Sequence, residues 1–137
     1  MYYLVSLFLT SSNLELNKVN RMGKTYLVNA FSINMIREFP ATVRVDMIDG
    51  EEFCETLGTQ SGELINAVGH DSTIDVINKL CGTQLQKNRI EIKMVQGDIA
   101  FAIMVNHRLE EGKVLNEEEI LRMLWQGKIS FYKVILE

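Results

Sequence analysis

The chain has 137 residues, 47% of them hydrophobic and 23% charged, and a net charge of −4. That length suits one domain with a real core and is too short for two independent ones, and the composition excludes a disordered or fibrous protein. The acidic balance argues against a duplex-DNA binder, which presents a broad basic face to phosphates, yet leaves room for a small nucleotide held by a few local cations and amides.

Residues 1–9 (MYYLVSLFL) are strongly apolar. The run is shorter than a membrane span, no basic residue precedes it, and it leads into SSNLELNKVN without a small-residue cleavage pattern, so neither a signal peptide nor an anchor is expected. Met22-Gly23-Lys24 offers a second start. Residues 1–21 are therefore read as an extension outside the native domain, and 22–137 as a single domain.

From there the spacing predicts a nearly continuous apolar, central strand over 26–31 (YLVNAF), interrupted by Asn29, which needs partners if buried. Asn29 is either a satisfied structural amide or a ligand contact. Ser32 and Asn34 follow it and either cap a short helix or hydrogen-bond a ligand. Val43, Val45 and Met47 alternate with Arg44 and Asp46 in a second strand. Residues 51–57 and 63–68 read as short helices. Gly69-His70-Asp71-Ser72-Thr73 then opens a firmer one, in which Ile74, Val76, Ile77, Leu80 and Cys81 repeat at helical spacing and Gly82 ends the run. A helix start leaves amide donors unpaired and carries partial positive charge, so it attracts phosphate, and here it lies beside one of only two histidines. His70 divides between ligand chemistry and helix capping.

Ile90, Ile92 and Met94 alternate with Arg89, Glu91 and Lys93, and Gln96-Gly97-Asp98 marks a turn into an apolar strand over 99–105. Together these predict a hairpin. For Lys87 and Arg89 a surface role is the default. Residues 106–113 (NHRLEEGK) crowd charge onto a strand-to-helix loop, where sites are often built, although a solvated charged loop is the commoner outcome. Asn116 with Glu119 makes a capping-box start to a helix carrying Ile120, Leu121, Leu124 and Trp125, closed by Gly127 before a last strand over 129–136. Strands and helices mix along the chain, which predicts an α/β fold: a mixed sheet of about five strands, parallel and antiparallel, flanked by helices.

Cys54 and Cys81 are too few for a disulfide framework and lack C-x-x-C spacing, and each falls on the apolar side of a predicted helix, so a reducing cytoplasm is the simplest setting. Two histidines 37 positions apart, without a supporting ligand at metal spacing, predict no metal site. The nucleotide-triphosphate, dinucleotide and esterase motifs G-x-x-x-x-G-K-[ST], G-x-G-x-x-G and G-x-S-x-G do not occur.

YLVNAFSINMI at 26–36, GHDSTIDVINKLCGT at 69–83, QKNRIEIK at 86–93 and RLEEGKVL at 108–115 closely resemble the viral type III anti-CRISPR ring nucleases, in the same order and with similar spacing. The resemblance implies a homodimer in the host cytoplasm that binds cyclic tetra-adenylate, the messenger of type III CRISPR immunity. It further implies metal-independent cleavage to linear di-adenylates with 2′,3′-cyclic phosphate ends, without a cofactor, duplex DNA or a membrane as partner. His70 matches the family's catalytic histidine, and Arg108 and Glu111 its conserved arginine and acid. Asn29, Ser32, Asn34, Ser72, Thr73 and Arg89 match ligand contacts. Residues 1–21 have no counterpart in the family pattern, and Met104 stands where some members carry a polar side chain. Two other classes of function remain as alternatives: a non-hydrolytic protein that sequesters the messenger, and a viral interaction protein without affinity for it.

Overall fold

The computed structural model describes residues 23–60, 62–106 and 114–137. A five-stranded mixed sheet runs in the order β2-β5-β4-β1-β3, from β1 (Thr25–Val28), β2 (Val43–Ile48), β3 (Leu64–Asn66), β4 (Ile99–Val105) and β5 (Ile129–Leu136). β3, β1 and β4 are mutually parallel, β5 is antiparallel to β4, and β2 is antiparallel to β5. Every strand except β5 therefore points the same way, and the carboxyl ends of three neighbouring strands share one edge of the sheet. Among the described residues three helices accompany the sheet: α1 (Gly50–Thr59), α2 (Asp71–Cys81) and α3 (Glu117–Trp125), with a 3-10 turn at Ile33–Met35. The α/β class and mixed five-stranded sheet agree with the expectation.

The two-residue period of the strands sorts their side chains into two cores. Leu27, Phe101, Ile103 and Phe131 face all three helices, meeting Phe53 and Leu57 of α1, Ile74 and Ile77 of α2, and Ile120 and Met123 of α3. Phe53 is wholly buried with its ring centroid 4.8 Å from that of Phe131. Tyr26, Val28, Ala100, Ala102 and Val134 face the other way, against Ile36, Ile92 and Met94. β1 and β4 read as continuous apolar runs because both of their faces are covered.

Each helix starts differently. Asp49 caps α1 by accepting from Glu52 N at 2.8 Å, and Asn116 with Glu119 forms the expected capping box of α3. α2 begins at His70, whose side chain makes no cap hydrogen bond, and it ends at Gly82 in the left-handed region (φ 68°).

Three expectations need correction. Residues 63–68 hold a strand, β3, where a helix was expected, because Leu64, Ile65 and Asn66 pair with β1. Six residues are too few to hold a helix on their own, and periodicity cannot separate short apolar helices from strands, so a tertiary partner decides.

The predicted hairpin is also absent. Ile92 and Met94 are buried and Glu91 and Lys93 exposed, as alternation implied, but residues 89–94 make only one bridge, Met94 with Ile36, while β4 pairs with β1 and β5. Alternation reports burial on one side and says nothing about the backbone partner. The segment instead runs over the sheet, fastened to β3 by Asn66 Nδ2 donating to Gln86 O (2.7 Å), Asn88 Nδ2 to Asn66 O (2.8 Å) and Asn88 N to Val68 O (2.8 Å).

Finally, Cys54 and Cys81 form a disulfide joining α1 to the end of α2, their Cα atoms 5.0 Å apart. Their place on the apolar sides of two packed helices is what brings them together. Cysteine usage therefore no longer argues for a reducing setting. No helix among the described residues is long and apolar enough to cross a membrane.

Candidate functional site at the carboxyl ends of the parallel strands

Of the residues singled out in the sequence, Asn29, Ser32, Asn34, His70, Ser72, Thr73 and Arg89 are described, and they lie near the edge where β1 and β3 end, the side on which open α/β sheets bind ligands. Beyond β1, Asn29 is half-buried, Ser32 takes the N-cap position of the 3-10 turn, and Asn34 lies within that turn. Ser32 N donates to Met35 Sδ at 3.2 Å and Ser32 O accepts from Met35 N at 3.0 Å, which holds the turn closed. The carboxamides of Asn29 and Asn34 make no hydrogen bond among the described residues.

Beyond β3 comes the mouth of α2. The first intrahelical bond runs from Ile74 N to His70 O (3.1 Å), so the amides of Asp71, Ser72 and Thr73 precede the helical ladder. His70 is exposed, Ser72 half-buried, and Thr73 one of two buried polar residues in the described set. The His70 side chain makes no cap hydrogen bond, and among the described residues its imidazole has no hydrogen-bond partner at this positively polarised helix end.

Arg89 reaches this mouth from the extended segment that crosses β3. Its Nη2 donates to Gly69 O in a long bond of 3.4 Å. A Cβ on Gly69 would meet Arg89 Cβ at 3.0 Å and Cγ and Nε at 3.2 Å, so a glycine here lets the arginine stem lie against the backbone just before His70. Lys87 sits on the same rim, with Nζ 3.3 Å from Asp71 Oδ2, an exposed pair that contributes little to stability but adds a second cation. Gly69 belongs to the segment expected at the helix mouth, whereas Lys87 was read only as a surface residue; its approach to the rim arises when segment 86–89 folds past β3. Arg89 is exposed, as a surface residue, and lies at the helix mouth.

Between these two groups lies a cleft of about 200 Å³ whose lining includes Val28, Asn29, Asn34, Met35, Ile90 and Glu91. Beyond β4, Asn106 N is tied to Lys128 O at 2.6 Å. Arg108 and Glu111, with His107, lie outside the described residues. Among the described residues no three metal-ligating side chains come together.

The arrangement defines a small α/β domain with a polar, partly cationic site at one sheet edge. Residues 25–132 match the STIV B116-like family model, and the chain belongs to that family. ORF116 of Acidianus filamentous virus 1 is 45% identical over 108 residues, covering 79% of this chain and 91% of that protein. Protein 26 of Sulfolobus islandicus filamentous virus is 28% identical over 115 residues, 81% of this chain and 83% of that one. The solved structure of B116 of Sulfolobus turreted icosahedral virus is similar with a TM-score of 0.79 and 60% identity, over 82% of this chain and 99% of that one.

Proposed function

We propose that this protein is a metal-independent ring nuclease that binds cyclic tetra-adenylate as a homodimer and cuts it to linear di-adenylates with 2′,3′-cyclic phosphate ends, suppressing type III CRISPR immunity. The observation that carries the reading is an uncapped helix mouth holding an exposed imidazole, with an arginine stem laid against the preceding glycine. Amides and guanidinium suit a phosphodiester, and the imidazole suits a proton transfer beside it.

An RNA phosphodiester contains its own nucleophile. The ribose 2′-oxygen attacks phosphorus in line, the bond from phosphorus to the 5′-oxygen breaks, and the 2′-hydroxyl proton leaves to solvent. His70 gives its proton to the departing 5′-oxygen as general acid. The amides at Ser72 and Thr73 and the Arg89 guanidinium hold the phosphate, while Arg108 stabilises its non-bridging oxygens and Glu111 orients Arg108 or His70. Two-fold symmetry would set two His70 copies at opposite linkages of a four-nucleotide ring.

Incubating the purified protein with labelled cyclic tetra-adenylate in chelator tests this. Di-adenylate with cyclic phosphate ends is expected. Intact ring recovered after denaturation would instead identify a sequestering protein, and loss of turnover in chelator with recovery on adding metal would refute the mechanism.

A further inference from the structure

We propose that the cleft between the 3-10 turn and residues 90–92 is a base-recognition pocket that reads adenine, with Glu91 as its specificity-determining residue beside Asn29 and Asn34. The inference rests on the nucleotide reading above for its class of ligand. At about 200 Å³ the cleft falls below the roughly 300–1,000 Å³ typical of drug-sized ligands, a size for one planar ring system. Its walls are apolar, with Val28 and Met35 on the side of β1 and the turn and Ile90 opposite, surfaces against which the faces of a base can pack.

Polar groups are few and unspent. The Asn29 and Asn34 carboxamides have no partner among the described residues, and Glu91 has only a loose ion pair with Lys93 at 4.0 Å, its side chain 83% exposed. Adenine offers an amino donor at N6 beside an acceptor at N7, the pair a carboxamide matches with its own oxygen and nitrogen. A carboxylate can accept from the same amino group. Guanine turns a carbonyl toward that position, and the Glu91 carboxylate has no proton to offer it.

The cleft is also preorganised. Met94 N donates to Met35 O (2.7 Å) and Arg37 N to Met94 O (3.0 Å), joining its two walls, and Lys93 Nζ donates to Asn34 O (2.7 Å) from the segment that carries Glu91. A ligand entering it meets walls already in place.

The test titrates the full chain with adenosine 5′-monophosphate and guanosine 5′-monophosphate, following backbone amide shifts by NMR, for the wild type, Glu91→Gln and Asn34→Ala. Shifts centred on Asn29, Asn34, Ala67 and Glu91 are expected, with adenylate favoured by about tenfold or more. Glu91→Gln, whose amide can donate to a guanine carbonyl, should bring the two nucleotides to within about threefold, and Asn34→Ala should weaken adenylate binding. Equal response to both nucleotides, shifts confined elsewhere, no response, or an adenylate preference untouched by Glu91→Gln would each overturn the proposal. Because no turnover is needed, a protein that leaves cyclic tetra-adenylate intact but still discriminates these monophosphates would lose the nuclease reading and keep the pocket.

Discussion

The two ends of the parallel strands handle their polar groups in opposite ways. At the amino end, Asp98 is buried and accepts from Lys24 N and Val95 N, both at 2.9 Å. Gly97 N donates to Leu136 O (2.7 Å) and Leu136 N to Asp98 O (3.0 Å), so the starts of β1 and β4 are tied to the end of β5. Gly23 lies so near that a Cβ on it would stand 1.8 Å from Gly97 O. At the carboxyl end the Asn29 and Asn34 carboxamides and the His70 imidazole have no such partners among the described residues. Polar groups satisfied within the chain stabilise the fold, while those left open remain for a ligand. The contrast repeats among the helices, since α1 and α3 are capped by side chains and α2 is not.

The contrast breaks most visibly at His70. His70→Ala should cost about a hundred- to ten-thousand-fold in single-turnover cleavage of cyclic tetra-adenylate, with an unchanged denaturation midpoint. Loss of fold instead of rate would make His70 structural. Asp98→Ala at the opposite end should do the reverse. Two partly buried amides would lose their acceptor, at about 1 kcal/mol each in denaturant titration, while the folded fraction keeps its turnover.

Next in size is the Cys54–Cys81 bond. Reducing it, or Cys54→Ser with Cys81→Ser, should lower stability by about 3 kcal/mol given the 27-residue separation, seen as a drop in melting temperature under reductant that the double variant no longer shows.

A sharper test is His70→Ser. Serine at an N-cap accepts from the first-turn amides, so stability should rise by about 0.5–1 kcal/mol while cleavage is lost, the signature of a helix start kept open for function. A variant both less stable and inactive would contradict that account.

The smallest effect concerns Tyr26. Burial, and secondarily the charge of Asp98, raise its phenol above the ordinary value of about 10. A raised folded value means that this contribution to stability is complete below pH about 10 and is lost as pH climbs through the folded value. Unfolding midpoints measured across that range should therefore decline, and Tyr26→Phe should flatten the decline.

Features carried by local chemistry were legible in the chain. Asn116 and Glu119 announced the α3 start, Gly82 the α2 stop, Gly97 a turn, and the apolar runs of β1 and β4 their burial, because caps, left-handed turns and periodicity depend on residues within a few positions of one another. His70 at the mouth of α2 was legible for the same reason. Which of its neighbours share the site was not, except through family resemblance.

What only the tertiary structure decided was partnership across long separations. Whether 63–68 became helix or strand depended on β1 some 40 positions away, and the alternation of 89–94 could not reveal that its backbone would bridge Ile36 in place of β4. The Cys54–Cys81 bond and the approach of Arg89 to Gly69 belong to the same kind. Periodicity records which face of a segment is buried but not what it is buried against, and that second fact is settled only when the whole sheet competes for pairing.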